Sequence, residues 1–565
     1  MLRRDETPMD VDVLVVGGGP VGLIQTLLLE QLGVKVAVVE QRHEAQTAPA
    51  AHVISARTFE ILRSLGLDMD AVDALCQRPS DGGWVRWVES LSGDEIGRVP
   101  FESLHLGSEP LRTSPHPLRN LSQHRLEPFL RTHVSDLRSG LRWTTARYEG
   151  DVVVSTLENV TSGEGVEIRS RYVIAADGAG SAVRRFLGVT MVGPEEIQNF
   201  VAIHVETDLR EVVRDRPGTL YWITDPEHAG TFIAHDPATT WVYMRNFDPR
   251  TESLADYSPE RAEFLFRQAS KMPDDLALSV RHVTTWRMSF QIAETYRVGS
   301  FFLVGDAAHR FPPTGGLGLN TGAPDAQNLA WKLKLVLDGV APDALLDTYE
   351  RERHPVAERN GQTSLDNAFR LMDVWVALGV SDDIEESRRT MAKVLATPEG
   401  RDNVRRAIEG QEEHFDQLGV QLGTSYTAEG GVVVTDGTTP PAPANAVREY
   451  IPSTGPGARL PHVWLQSPNG PVSTLDLVTP GKFLLLTNSP EWRDLASDPT
   501  WPLTRVCVGS DVTDDSGAWA AVSGIGDRGA LVVRPDQHVA WRTTESPTSA
   551  LPLADVMRAL LQHSR

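Results

Sequence analysis

The sequence predicts an α/β protein in three parts: a parallel-sheet domain built on a Rossmann-like βαβ unit, a β-sheet-rich insert, and a small separate α/β domain at the C-terminus. Three observations predict it. Residues 11–40 read as strand, glycine turn, helix and second strand, and residues 189–285 are dominated by short strands. A Pro/Ala/Gly-rich run at 437–446 then precedes a last alternation of strands and one helix. At 565 residues the chain exceeds a single core, which fits several domains.

Taken in order, helix patterns follow the βαβ unit at 58–65 and 126–137, and strand patterns at 151–157 and 172–175. The insert supplies strands at 220–224, 231–234 and 240–245. The apolar run 301–304 then leads into GDAAHRFPPTGGLGLN at 305–320 and a helix over 321–337. Four helical patterns come next, at 345–358, 368–378, 382–396 and 401–418. The last part carries strands at 483–486, 504–508, 529–533 and 538–542 and a helix at 553–563. The expected division is 1–188 with 286–420, the insert 189–285 joined by part of 78–110, a linker 421–458, and 459–565.

Composition narrows the function. The formal charge of -22, from 54 basic and 76 acidic residues, disfavours nucleic acid or an anionic membrane as partner. The two cysteines, Cys76 and Cys507, form no CxxC and offer neither a disulfide framework nor a cysteine metal site, so no metal is expected and a reducing cytoplasm fits. The uncharged run 13–29 contains Gly-Gly-Gly-Pro and reads as strand, loop and helix rather than a membrane span.

The chemistry-bearing motifs are three. Gly17-x-Gly19-x-x-Gly22 follows a strand and opens a helix, with Pro20 and Val21 inside it. Gly17 permits the tight turn, Gly19 lets a pyrophosphate approach the backbone, Gly22 lets the helix pack on the strand, and Glu40 at the next strand end suits a ribose. Asp177-Gly178 follows a second strand; alone it is an ordinary turn. Gly305-Asp306 ends a third strand, and the glycines from Gly315 to Gly318 open a helix whose N-terminus favours an electron-rich ring or anion.

In that order the three motifs resemble the FAD-dependent aromatic hydroxylases, the single-component flavoprotein monooxygenases of the p-hydroxybenzoate hydroxylase type. AHVISARTFEILRSLGL at 51–67, TLYWI at 219–223, GDAAHRFPPTGGLGLNTGAPDAQNLAWKL at 305–333 and YERERHPVAERN at 349–360 resemble the phenol and dichlorophenol hydroxylases and polyketide-tailoring oxygenases. RLPHVWL at 459–465 and LVVRPDQHVAWR at 531–542 resemble that branch's thioredoxin-like domain. The resemblance implies a Rossmann-like FAD-binding domain, a substrate-binding sheet domain and a thioredoxin-like domain without CxxC.

It further implies that Gly17, Gly19, Pro20, Val21, Gly22, Glu40, Gln41 and Arg42 surround the adenosine and pyrophosphate of FAD, and that Gln123 reaches the flavin side. Asp177 and Gly178 would contribute to FAD and NAD(P)H contacts, and Gly305 and Asp306 would meet the ribityl chain. Pro312 would flank the reacting edge, and Gly315, Gly318, Leu319 and Asn320 would surround the pyrimidine. One departure is plain: Pro49-Ala50-Ala51 stands where relatives carry an arginine, and Arg42 or Arg57 is expected to compensate. His52 is the candidate phenol base, with the packed-histidine reading beside it, while His309 reads as structural. Tyr221, His235 and Arg245 are candidates to orient the phenol, and Trp84, Trp87 and Trp286 to line a pocket or a core.

The implied reaction is hydroxylation of a phenolic or polyketide-type aromatic with NAD(P)H and O2 through a flavin C4a-hydroperoxide. A homodimer is compatible with this reading. Epoxidation or Baeyer-Villiger insertion on a polyketide shares the frame, and a non-catalytic flavin-binding scaffold is the remote alternative. A disulfide reductase fails for want of a CxxC. A flavin halogenase fails because the nearest match to its WxWxIP segment is WVRW at 84–87.

Overall fold

Uncharged β-branched runs make the central strands of the first domain, because a parallel strand covered on both faces has no polar side. In the computed structural model, which describes residues 10–101 and 113–561, Val13–Val16 and Val36–Glu40 are buried throughout. The expected helix end at His563 and part of the 78–110 segment lie outside the described residues. The six-stranded sheet runs Arg297–Val298, Phe301–Leu303, Tyr172–Ala175, Val13–Val16, Val36–Glu40, Leu137–Ser139, parallel except for the first pair. Pro20 opens the helix Pro20–Gln31, where its missing N–H costs nothing. A Cβ on Gly22 would lie 2.0 Å from the Gly17 carbonyl oxygen, so only glycine lets this helix meet the turn. The 126–137 helix pattern is divided: the helix Gln123–Arg131 stops early, and Leu137–Ser139 pairs with Val38–Glu40 as the sheet edge.

The insert forms a seven-stranded sheet in the order Ser279–Met288, Gln198–Glu206, Thr240–Asn246, Gly230–Asp236, Leu220–Ile223, Trp84–Val88, Glu95–Pro100. Period-two alternation separates its faces. Tyr221, Phe232, Trp241 and Tyr243 face the helix Pro259–Ser270 and form a core with its Leu265 and Phe266. That helix was masked in the sequence by the surrounding strands, although Ser258 caps it and Pro259 opens it. Leu220, Trp222, Thr231, Ile233 and Met244 face the opposite way, into a pocket.

The two helices expected at 345–358 and 368–378 are one, Asp347–Leu378. Gly361 inside it is held by packing, since a Cβ there would lie 2.4 Å from the Phe290 ring. The 401–418 pattern is Pro398–Glu409 followed by the short helices Glu412–Phe415 and Leu418–Leu422. The C-terminal domain is a mixed four-stranded sheet, Leu503–Cys507, Phe483–Thr487, Ala530–Val533, Val539–Thr543, closed by the helix Leu553–Leu561. Cys76 and Cys507 are free and buried.

Two buried ion networks join that domain to the first. Glu352 accepts from Arg534 Nη1 at 2.6 Å and Nη2 at 2.8 Å, from Lys332 Nζ at 2.7 Å, and from Asn328. Glu60 is bound by both Arg57 and Arg459 and receives the Ser114 hydroxyl. Burial alone would raise the Glu352 carboxyl, but the Arg534 and Lys332 charges override it and hold it far below the usual carboxylate range. Glu352→Leu strands two buried cations and is expected to lower unfolding stability by about 3–5 kcal/mol. Denaturant unfolding of wild type and variant checks it, and a change under about 1 kcal/mol would contradict the arrangement.

Candidate functional site

The helix Leu317–Leu337 begins where the chain changes hand. Gly315 and Gly316 have φ of 92° and 66°, and Gly316 is the N-cap. The first-turn N–H groups, from Leu317 to Asn320, therefore have no intrahelical partner and point out of the helix end. The site helix starts four residues before the predicted position, so Gly318, Leu319 and Asn320 lie inside its first turn. Asn320 cannot offer its side chain to a ligand, because all of it is in use. Its Oδ1 accepts from the Ser55 N–H at 2.9 Å and the Thr58 hydroxyl at 2.8 Å, and its Nδ2 donates to the Val53 and Gly316 carbonyls.

Asp306 sits below this helix end. A Cβ on Gly318 would have the Asp306 carboxylate, 3.9 Å away, as its nearest contact, so the space above Asp306 admits close approach to the backbone. Protein packed around Asp306 raises its carboxyl above the usual range, only partly opposed by His309 and Arg310, yet the residue remains open to solvent. A carboxylate crowded by protein and open on one side is placed to receive hydroxyl donors. His309 is fully buried and bonded to Asp325 at 2.8 Å, and Asp325 also accepts from Arg353 Nε at 2.7 Å and from the Gly305 N–H. That network holds the Asp306 loop against the helix.

At the first motif, Gly17 has φ 108°, and a Cβ there would lie 2.3 Å from the Ala176 carbonyl oxygen. Gly19 meets nothing within 4 Å, leaving its backbone approachable. Glu40 accepts the Gly18 N–H at 2.8 Å and is paired with Arg42 at 3.1 Å. Val21 packs against Gly305 and Gly322, which joins the first motif to the third. Gln41 is exposed at the strand end beside Glu40, and Gly178 has φ 76°. Asp177 receives the Ala182 and Val183 N–H groups on Oδ2, while its buried Oδ1 has no partner. Among the described residues the Gln123 side chain reaches only Glu127, at 3.4 Å.

The pocket reaches from this helix start to the insert sheet. Its non-atom space is about 770 Å³, lined by His52, Val53, Phe101, Leu118, the insert side chains already named, Pro313 to Leu317, and Phe415. His52 is one of its few titratable groups. Asn120 Nδ2 donates to Gln77 at 2.7 Å and to the Ala234 carbonyl at 3.1 Å, so its Oδ1, 3.0 Å from His52 Nδ1, is the acceptor. That assigns the proton to Nδ1 and leaves Nε2 of His52 as a lone-pair base with no hydrogen bond among the described residues. Burial pushes His52 down to about 4, opposed by the Asn120 bond, so the ring is neutral near pH 7. His235 stands edge-on to His52 with ring centroids 5.2 Å apart, and burial with the neighbouring His52, His124 and His204 lowers it further.

Four of the predicted side chains go elsewhere. Pro312 is buried, and Pro313 lines the pocket instead. Tyr221 lies on the opposite sheet face and donates to the Arg216 carbonyl. Arg245 shares that face with Tyr243, because alternation sends Met244 into the pocket. Arg57 is buried in the inter-domain network, bonded to Glu60, Gln327, Gln537 and the Asp536 carbonyl, so it cannot replace the missing arginine at a phosphate. Trp87 stacks on Trp222 and Trp286 on Phe200, while Trp84 lies under Arg98. Sequence reasoning missed Asn120, Trp222, His414, Gln417 and Gln421. His414 and Gln421 sit on the short helices Glu412–Phe415 and Leu418–Leu422 and Gln417 between them, none carries a motif, and only folding brings them to the pocket.

Residues 10–364 match the FAD binding domain family, and residues 453–563 match the aromatic-ring hydroxylase C-terminal family. The chain belongs to the FAD-dependent aromatic hydroxylases. This FAD-dependent monooxygenase is 33% identical to 2,4-dichlorophenol 6-monooxygenase of Delftia acidovorans, with 96% of each chain covered. It is 34% identical to tetracenomycin A2 monooxygenase-dioxygenase of Streptomyces glaucescens, over 96% of this chain and 95% of the relative. The solved structure of the flavin-dependent monooxygenase PieE with FAD and substrate superposes with a TM-score of 0.90 at 33% identity, covering 99% of this chain and all of the other. Among the described residues no cluster of histidine, cysteine and carboxylate side chains could hold a metal, and no helix is long and apolar enough to cross a membrane.

The low value of His52 links to stability. The unfolded chain takes up a proton near pH 6.5 that the folded pocket refuses until about pH 4. This contribution is therefore complete above pH 6.5 and is lost as pH falls toward 4. The free energy of urea unfolding is expected to decline across that window, and His52→Asn to decline less steeply, by up to about one proton per molecule. Parallel slopes for the two proteins would refute a neutral, half-buried His52.

Proposed function

We propose that this enzyme hydroxylates a phenolic ring bound in the pocket, with NAD(P)H and O2 as co-substrates, as a cytoplasmic protein. The observation that carries the reading is the free Nε2 of His52 in an apolar pocket whose other wall is the start of the helix Leu317–Leu337. FAD fits the residues present. Gly17, Gly19, Gly22 and Glu40 would hold its adenosine and pyrophosphate, Asp306 its ribityl hydroxyls, and the N–H groups of Gly318, Leu319 and Asn320 its pyrimidine ring, with Pro313 at the flavin edge. Held there, FAD would supply reduction by NAD(P)H and activation of O2.

The chain's own groups do the rest. His52 Nε2 accepts the phenol proton, which enriches the ortho and para carbons at the moment the ring is oxidised. Asn120 holds the imidazole in the tautomer that leaves Nε2 free. The helix start stabilises negative charge at the pyrimidine end. The apolar walls of Phe101, Leu118, Ile233, Met244 and Phe415 keep out water, which would otherwise divert the oxidant to H2O2.

NADPH oxidation by the yellow protein is expected to rise with a phenolic substrate and to give product carrying one atom from isotopic O2. A lactone product would sink hydroxylation in favour of Baeyer-Villiger insertion. His52→Asn should lower turnover about a hundredfold or more and remove the acid limb of the pH profile. Asp306→Ala is expected to weaken FAD retention about ten- to a hundredfold, the share of hydrogen bonds to a charged group. Flavin absorbance after desalting reads this, and full retention would place the ribityl chain elsewhere.

A further inference from the structure

Gln537 stands in a backbone conformation that its residue type does not favour. Three residues, Pro535 to Gln537, turn the chain between Ala530–Val533 and Val539–Thr543, with the Gln537 N–H on the Arg534 carbonyl at 2.9 Å and the Arg534 N–H on the His538 carbonyl at 2.7 Å. The last residue of such a turn is left-handed, a place for glycine. Gln537 takes it with φ 65°. Among the described residues the one other non-glycine at positive φ is Lys271, at an exposed helix end, whereas Gln537 is 3% exposed. Strain kept at a buried position calls for a role of the side chain.

That side chain bridges the domains. Gln537 Nε2 donates to the Leu475 carbonyl at 3.2 Å, and Oε1 accepts from Arg57 Nη1 at 2.7 Å. Arg57 shares its carboxylate, Glu60, with Arg459, so its other N–H groups depend on neutral acceptors. These are Gln537, Gln327 at 2.7 Å and the Asp536 carbonyl at 2.8 Å. Arg57 also lines a cleft with Ser55, Leu317, Asn320 and Gln421. Two acceptors there already hold the start of the helix Ala56–Ser64: Asn320 Oδ1 takes the Ser55 N–H at 2.9 Å, and Gln421 Oε1 the Ala56 N–H at 3.0 Å.

We propose that Gln537 is a positioning residue for the flavin site: its amide oxygen holds the Arg57 guanidinium at the domain junction, which keeps the first turn of the helix Ala56–Ser64 seated on Asn320. Without that acceptor a buried N–H is left unpaired, and Arg57 turns into the cleft to compete for Asn320 Oδ1 and Gln421 Oε1. The C-terminal domain thereby sets how the His52 loop stands against the helix start at Leu317. The inference rests on the placing of FAD and phenol given above.

The test uses the full-length protein and two readouts: the FAD dissociation constant, from flavin fluorescence, and the H2O2 formed per NADPH oxidised with 2,4-dichlorophenol as probe. Gln537→Gly removes the strain with the side chain, and Gln537→Asn suits the left-handed turn but is too short to span Arg57 and Leu475. Both are expected to unfold near the wild-type temperature, to weaken FAD about tenfold and to raise the H2O2 share about fivefold. Gln537→Glu keeps the acceptor for Arg57 and loses only the donor to Leu475, so both values should stay within about twofold of wild type. In an Arg57→Met background Gln537→Gly should add less than about twofold, because the residue acts through that guanidinium.

Wild-type FAD affinity in the glycine and asparagine variants overturns the proposal. So does an equal loss in Gln537→Glu, a full further loss in the Arg57→Met background, or failure of both variants to fold, each of which marks the side chain as domain packing alone. Loss of FAD in Asp306→Ala beside wild-type affinity in the Gln537 variants sinks this inference and leaves the placing of FAD standing. If wild type yields no hydroxylated product from any phenol, the hydroxylase reading falls and FAD affinity still decides the role of Gln537.

Discussion

One helix, Leu317–Leu337, holds the molecule together, and to the apolar packing of Leu329, Trp331, Leu333 and Val336 it adds polar ties that reach every part. Asn320 ties it to the loop at Val53 and Ser55, Asp325 to the Asp306 loop and Arg353, and Asn328 and Lys332 to Glu352 and through it to Arg534 of the last domain. A helix buried on most of its surface must satisfy each polar group it carries, and every such bond has a fixed direction. The result is a rigid N-terminus, with its free N–H groups aimed at one place. Flavin chemistry needs that fixed aim, because a helix end stabilises charge only within its last turn.

The same burial that rigidifies the helix discharges the pocket. His52 and His414 in the pocket and His235 beside His52 are all lowered by desolvation, so none of the three adds a positive charge near neutral pH. A neutral base suits a neutral phenol, and a cationic cluster would instead draw in anions and water. The C-terminal domain contributes to this from a distance. Its Gln537 and Asp536 bind Arg57 beside Ser55, so the loop that carries His52 and Val53 is braced from the far side. The domain has no cysteine pair, and its observed contacts are structural.

Much of the cofactor side was legible in the sequence because it is backbone chemistry. Gly17, Gly22, Gly315 and Gly316 are required by positive φ or by contacts that a Cβ would violate, and such requirements appear as residue type at fixed spacing. The substrate side was not legible in the same way. Tyr221 and Arg245 looked available because they are polar residues on strands, but strand parity sent them to the face covered by the helix Pro259–Ser270. Pro312 and Pro313 are one residue apart, and only the turn decided which of them meets the pocket. Arg57 was diverted by Glu60 and by a carbonyl 479 residues away in sequence.

What the sequence determined by itself was the order of the strands and glycine turns, and with them the flavoprotein family and the oxidant it uses. Those features are local, each set by neighbours within a few residues. What only the tertiary structure decided was the set of side chains that lines the pocket. His52, Trp222, His414 and Gln417 come from three distant segments, and no local rule places them together. Their convergence follows from a sheet face, a helix start and a pair of short helices packing on one cavity, and packing is a property of the whole fold.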